Sequence, residues 1–322
     1  MQITLITPAP PGSKAGNRAT AERWERLLNR EGHEVKVVTD YQGEPCDLFI
    51  ALHAWRSREA VKRFRAAFPD KPLIVVLTGT DIYDHQHRFP DDTLYAMAQA
   101  DCLIGLHRRV ARDIPDQFAD KLVTVLQSAD KVSGRGASAG QGEAFQVCVI
   151  GHLRAEKDSL LAAKAARLLP AASGISVVNA GKAHSPEWRA AAEKEQSANA
   201  RFQWLGELDR DASQQLMLNS RLMVISSVME GGANVVSEAC RMGLPILAST
   251  ISGNLGLLGE DYPGYFRTGD EQDLARLLQK AEQSPECLSA LKRWVSDCAS
   301  AFTPDAEQAS LAEALRRATS RP

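Results

Sequence analysis

The stretch Ser226-Ser227-Val228-Met229-Glu230-Gly231-Gly232-Ala233-Asn234-Val235-Val236-Ser237-Glu238 concentrates residue types that handle a charged ligand. The apolar run Leu222–Ile225 before it reads as a buried strand. Gly231 and Gly232 read as a turn, Asn234 as a helix N-cap, and Gly243 as the helix stop. A glycine-rich turn that opens a helix presents unpaired backbone N–H groups to an anion, and a diphosphate is the obvious guest. Gly231, Gly232, Ala233 and Asn234 are therefore candidate binding residues. Glu230 sits in the turn. Glu238 falls four residues after Asn234, on the face of the first helical turn, and its side chain leans back toward the helix start. Carboxylates accept hydrogen bonds, and sugar and ribose hydroxyls donate them. Two carboxylates flanking a phosphate-binding turn describe a clamp for a nucleotide-sugar. A plainer reading stands beside it: acidic residues near a helix N-terminus favour its dipole, and Gly-Gly makes an ordinary turn.

A second cluster, Gly151-His152-Leu153-Arg154-Ala155-Glu156-Lys157-Asp158, follows the apolar strand Phe145–Ile150. Gly151 lets the backbone approach a ligand. Arg154 can fork onto phosphate oxygens and Lys157 can meet them as a point charge; a solvated basic turn accounts for the same residues. A third loop, Pro8 to Arg18, holds Gly12, Ser13, Lys14, Asn17 and Arg18 after the first strand. It matches neither the dinucleotide fingerprint nor the P-loop pattern. It is a candidate seat for an anionic acceptor, or else a charged connecting loop. His53 closes one strand and Thr80-Asp81 follows another, both where sheet sites form. A strand-end histidine suits acid–base work, though a lone histidine is more often structural and Asp81 also suits a turn cap. His85 and His87 lie beside Asp84, but spacing shows no third ligand, so no metal and no cofactor are expected.

The elements that must position these residues alternate. Strand-like runs at Ile3–Ile6, Glu34–Val38, Leu48–Leu52, Leu73–Leu77, Cys102–Leu106 and Leu122–Leu126 are separated by helical patterns. A Gly/Ser-rich stretch, 128–143, reads as a linker. A second series follows at Phe145–Ile150, Ile175–Asn179, Phe202–Leu205, Leu222–Ile225 and Pro245–Ala248, and the chain then reads as helical from Ser284 to its end. Alternating strands and helices imply parallel βαβ units with both sheet faces covered. The expected fold is α/β: two Rossmann-like, doubly wound domains, 1–130 and 145–303, facing across a cleft.

Bulk properties narrow the function. Lys plus Arg number 38 and Asp plus Glu 40 in 322 residues, a net charge of −2 that leaves no broad nucleic-acid footprint. Six cysteines show no C-x-x-C pair and no zinc spacing, which reads as reduced thiols. No run approaches the roughly 20 apolar residues of a membrane span, and no signal peptide is evident. A cytoplasmic protein without stable membrane association is expected.

Taken together, Glu230 and Glu238 with seven residues between them, and Gly151-His152-Leu153 with Lys157, resemble the family-4 glycosyltransferases of the GT-B fold. The resemblance spans most of the chain. It implies that Glu230 contacts the donor sugar, Glu238 the ribose and Lys157 the diphosphate, and that Gly206, after Trp204-Leu205, lies where the base binds. It also implies that the final helix, about 304–322, completes the first domain. The family's arginine is His152 here. The strings Thr7-Pro-Ala-Pro-Pro-Gly-Ser, Leu77-Thr-Gly-Thr-Asp81, Met229 to Glu238 and Leu257 to Tyr265 resemble a branch that transfers a hexose from UDP-N-acetylglucosamine or UDP-glucose to selenophosphate. Such a nucleophile needs positive charge more than a base, which Lys14, Arg18 and His53 would supply. Two other readings remain open: a glycosyltransferase with an alcohol or lipid acceptor, the latter using the basic run Arg56 to Arg65, and a nucleotide-sugar sensor without turnover.

Overall fold

In the computed structural model the described residues are 1–13, 15–132 and 145–320. Most of the linker expected at 128–143 lies outside them, as does Lys14. The chain divides into two units. The first comprises Met1–Ser128, Gly231–Asn234 and Thr303–Pro322; the second comprises Ala129–Glu230 and Val235–Phe302.

The first unit is built on six parallel strands: β1 Gln2–Ile6, β2 Glu34–Val38, β3 Leu48–Leu52, β4 Leu73–Leu77, β5 Cys102–Gly105 and β6 Leu122–Thr124. Their order across the sheet is β2-β1-β3-β4-β5-β6. β3 and β4 are LFIAL and LIVVL, buried at every position. Such unbroken apolar runs are what a central strand covered on both faces requires. On one face Leu5, Ile50 and Ile104 meet Trp24 and Leu28 of the helix Gly16–Arg30, together with Leu311 and Leu315 of the closing helix Pro304–Thr319. On the other face Phe49, Val75 and Leu103 meet Val61 and Phe64. Phe49 stacks on Phe64 with centroids 4.7 Å apart.

The second unit repeats the scheme with β7 Phe145–Ile150, β8 Ile175–Ala180, β9 Phe202–Trp204, β10 Leu222–Ile225, β11 Ile246–Ser249 and β12 Tyr265–Phe266. Their order is β12-β11-β10-β7-β8-β9. Both sheets therefore reverse direction once, between β1 and β3 in the first and between β7 and β10 in the second. Ligands of open α/β sheets bind outside the carboxyl ends of the strands at such reversals. The fold is that of two doubly wound α/β units.

Among the described residues no helix is long and apolar enough to cross a membrane. All six cysteines are free thiols, four of them buried. Burial pushes the Cys102 and Cys148 thiols up to about 12, so both stay protonated at neutral pH.

Candidate active site

The second sheet turns at β7 and β10, and the predicted donor-binding residues gather there. Gly151 and Lys157 follow β7; Ser226, Ser227 and Glu230 follow β10. A small hollow at this point is lined by Gly151, Lys157, Ser159, Ser226 and Ser227. Lys157 Nζ is hydrogen-bonded to Glu230 Oε1. Glu230 is only 8% exposed. Its Oε1 also accepts the Ser227 hydroxyl at 2.6 Å. Ser226 Oγ donates to the Lys157 carbonyl at 3.1 Å and the Asp158 carbonyl at 2.9 Å, which ties the two loops together. Asp158 takes the left-handed conformation, φ 42°, to make this corner. Ser226 and Ser227 were absent from the sequence-derived site; their position directly after a buried strand was the available signal.

His152, Arg154, Gly206 and Glu238, also expected at the donor site, lie in the same unit. Arg154 is half-buried, 3.8 Å from Glu156, and its Nε is buried without a hydrogen-bond partner. The ion pair at 3.8 Å is too long for a hydrogen bond, so this N–H can still donate one. His152 Nδ1 accepts the Lys182 N–H at 3.1 Å, so its Nε2 carries the proton. Burial, aided by His184, lowers the His152 pKa and keeps the ring neutral. Where the family has a cation, this chain has a neutral hydrogen-bond donor. Gly206 adopts φ +71° in the loop after β9, and its amide oxygen accepts the Gly181 N–H at 2.7 Å. Trp204 Nε1 donates to the Gly181 carbonyl at 2.8 Å. Glu238 is half-buried on the helix Asn234–Met242, which begins one residue earlier than an Asn234 N-cap implies.

Gly231, Gly232, Ala233 and Asn234 group with the first unit. A Cβ at Gly231 would fall 2.2 Å from the Gly79 nitrogen, and one at Gly232 would fall 2.5 Å from Leu106 Cβ. Close packing requires glycine at both positions, a reason that spacing alone did not reveal.

In the first unit, His53 follows β3 with φ +82°, a conformation that costs a residue bearing a Cβ about 1–3 kcal/mol. Asp81 holds it there. Asp81 Oδ1 lies 2.7 Å from His53 Nδ1 and accepts the Trp55 N–H at 3.0 Å. Its Oδ2 accepts the Ala54 N–H, the Thr78 N–H and the Thr78 hydroxyl, each at 3.0 Å. Burial alone would raise the Asp81 pKa, but the charge and hydrogen bond of His53 outweigh it and hold the carboxyl well below the usual range. The structure turns Asp81 inward, 1% exposed, in keeping with the turn-cap reading. Thr80 Oγ1 lies 3.0 Å from His53 Nε2.

His85 is buried and joins this cluster, whereas His87 is exposed. His53, Asp81 and His85 place one ligand atom each within 4.8 Å of one another, a grouping that linear spacing concealed. The lone pairs of the carboxylate are already committed to the donors above. In the first loop Gly12 takes φ +78° and is exposed. Ser13 Oγ accepts the Ala15 N–H at 3.2 Å. Arg18 pairs with Glu22 at 2.7 Å, and Asn17 is half-buried. The basic run is largely engaged as well. Arg65 is buried against Asp101 and the carbonyls of Lys71 and Gln99, and Arg58 and Lys62 both reach Asp92.

The chain superposes on three glycosyltransferase-fold structures along nearly its whole length. Anabaena HepE in complex with UDP and glucose matches at TM-score 0.78 and 16% identity, covering 98% of this chain and 99% of that one. Sucrose-phosphate synthase of Thermosynechococcus elongatus matches at TM-score 0.78 and 16% identity, covering 98% of both chains. A glycosyltransferase of Rickettsia africae matches at TM-score 0.75 and 11% identity, covering 100% of this chain and 99% of that one. At such identities the likeness is one of fold. No curated protein matches the chain in sequence. The family model described as glycosyl transferases group 1 matches residues 135–295, half of the chain and the whole of the Lys157–Glu230 site, so the chain belongs to the group 1 glycosyl transferases.

Proposed function

We propose that this glycosyltransferase moves a hexosyl group from a UDP-sugar, UDP-N-acetylglucosamine or UDP-glucose, to selenophosphate, acting as a selenosugar synthase in selenoneine biosynthesis. The observation that carries the donor half is the half-buried Lys157–Glu230–Ser227 set at the strand-order reversal, with an Arg154 N–H that has no hydrogen-bond partner in the same loop as Lys157. In this reading Lys157 and Arg154 take the charge that develops on the leaving diphosphate. Glu230 orients the sugar and Glu238 the ribose. The neighbour HepE binds UDP and glucose, which supports a uridine nucleotide as donor. The acceptor half rests on the sequence strings around Thr7, Asp81, Glu230 and Tyr265. In the reaction the C1–O bond to the diphosphate breaks, the C1–Se bond forms, and UDP leaves. Hydrolysis of the P–Se bond then frees the selenosugar.

The test is UDP release from each donor, with and without enzymatically generated selenophosphate, followed by mass analysis. Selenophosphate-dependent release with a seleno-hexose product is expected. Release only with an alcohol would replace the acceptor. That second reading is favoured by one observation, the His53–Asp81 pair, which a hydroxyl acceptor would use as a base. UDP binding without release under any condition would point to a sensor.

A further inference from the structure

Behind Glu230, within the second unit, runs a chain of buried polar residues. Asn254, on the helix Ser252–Leu258, and Ser249, the last residue of β11, are both 0% exposed. Asn254 Nδ2 donates to the Ser249 carbonyl at 3.0 Å and to Ser249 Oγ at 3.1 Å. An amide NH₂ can only donate, so the Ser249 proton points onward, and it meets the Ser227 carbonyl at 2.5 Å. Ser227 in turn donates its hydroxyl to Glu230 Oε1 at 2.6 Å. Each link has one direction, and the chain ends on the carboxylate that Lys157 holds from its own loop. Asn254 Oδ1 is buried with no hydrogen-bond partner among the described residues, a cost that an apolar side chain would not carry.

The helix that carries Asn254 is fixed against the same turn. A Cβ at Gly253 would fall 2.3 Å from the Glu230 carbonyl oxygen, so this helix backs directly onto the Glu230 main chain. The Tyr265 hydroxyl reaches the Asn254 carbonyl at 3.1 Å and the Gly259 carbonyl at 2.8 Å, which ties both ends of the helix to β12. Both side-chain contacts of Glu230 fall on Oε1; Oε2 accepts no hydrogen bond among the described residues. A carboxylate pinned through one oxygen presents the other in a set direction, and a sugar hydroxyl is a donor that suits it. We infer that Asn254 is a positioning residue for the transfer: acting through Ser249 and Ser227, it sets the orientation in which Glu230 Oε2 receives a hydroxyl of the donor sugar. The inference rests on the proposed role of Glu230 toward the sugar and on no property of the acceptor.

Calorimetric titration with two ligands separates this role from a merely structural one. The ligands are UDP and whichever of UDP-glucose and UDP-N-acetylglucosamine the wild type binds more tightly. They share the uridine and the diphosphate, so the ratio of their Kd values reports contacts to the sugar. Asn254→Ala is expected to weaken the sugar nucleotide about 3–10-fold relative to UDP. Ser249→Ala deletes one oxygen from the middle of the chain; it is expected to keep the native circular dichroism spectrum and to shift the ratio equally, so it carries the test if Asn254→Ala does not fold. In a Glu230→Ala background neither substitution should move the ratio further, because residues that act through one group are not additive. A wild-type ratio in natively folded Ser249→Ala, or an additive loss in the double variant, would overturn the inference. If Glu230→Ala shifts the ratio and Ser249→Ala does not, Asn254 loses its role while that of Glu230 stands. A wild-type ratio in Glu230→Ala rejects the sugar contact that the proposed function gives Glu230, and the inference with it.

Discussion

Lys157 and Glu230 form a half-buried ion pair across two loops. On the proposed reading a diphosphate would compete with Glu230 for the ammonium, so the loss of the lysine would be felt in the transition state. Lys157→Met is expected to lower kcat for UDP release about 10²–10³-fold, measured at saturating donor. His152 supplies the opposite experiment. Its ring is neutral, with Nδ1 committed to Lys182, so only a directional N–H reaches outward. His152→Arg restores a forked cation, and charge-assisted hydrogen bonds are roughly twice as strong as neutral ones. The variant is expected to bind UDP about 3–10-fold more tightly, with an advantage that shrinks as salt is raised. Calorimetric titration at two ionic strengths checks both parts.

At the scale of elements, strand ends and helix ends are joined by contacts with no tolerance for added volume. Gly181 follows β8, and a Cβ there would lie 1.9 Å from the Gly151 carbonyl oxygen. That neighbour is backbone and cannot rotate away. Gly181→Ala is therefore expected to displace the loop that carries His152, at a cost of about 1–3 kcal/mol in stability, together with weakened UDP binding. The closing helix Pro304–Thr319 is tied to the first unit through Glu307, 1% exposed. Its carboxylate accepts Arg23 Nε at 2.8 Å, Trp24 Nε1 at 2.7 Å and the Ser128 N–H at 2.9 Å. Removing it leaves a guanidinium and two buried N–H groups unpaired. Glu307→Ala is expected to destabilise the protein by about 3–5 kcal/mol, read from the urea midpoint.

For the molecule as a whole, one buried histidine contributes to the expected acid response. His107 is fully buried, and burial depresses its pKa to about 4. Its Nδ1 accepts the Arg109 N–H at 3.2 Å, its Nε2–H faces the Tyr83 hydroxyl at 3.0 Å, and that hydroxyl donates to Asp113 at 2.9 Å. The folded state keeps the ring neutral while the unfolded chain binds a proton near pH 6.5. Between these values the unfolded state holds more protons, so stability rises with pH. The contribution is fully present above about pH 6.5 and is lost as pH falls toward 4, on the order of 3 kcal/mol in total. His107→Gln should flatten the stability profile between pH 4 and 6.5, measured by urea unfolding across that range.

Several features were legible without coordinates because they rest on local chemistry. Apolar runs such as LFIAL and LIVVL can only be covered strands, and Glu230, Lys157 and Gly151 stand directly after such runs. A residue just past the carboxyl end of a parallel strand faces the same end of the sheet wherever the strand lies, so Gly151, Lys157 and Glu230 could be placed at that end from the sequence alone. Other features are long-range and left no local mark. Arg65 reads as part of a solvated basic face, yet it is buried because Asp101 and two carbonyls satisfy its planar fork. His85 pairs by spacing with His87, but in space it joins His53 and Asp81, because a single turn of π-helix at Asp81–His85 rotates its ring inward. Glu307 is separated from Trp24 by 283 positions and carries no motif. The sequence by itself determined the strands, the turns after them and the residue types those turns hold. Only the tertiary structure decided which buried charges meet, because a desolvated carboxylate takes whatever donors the folded backbone brings to it, at any separation along the chain.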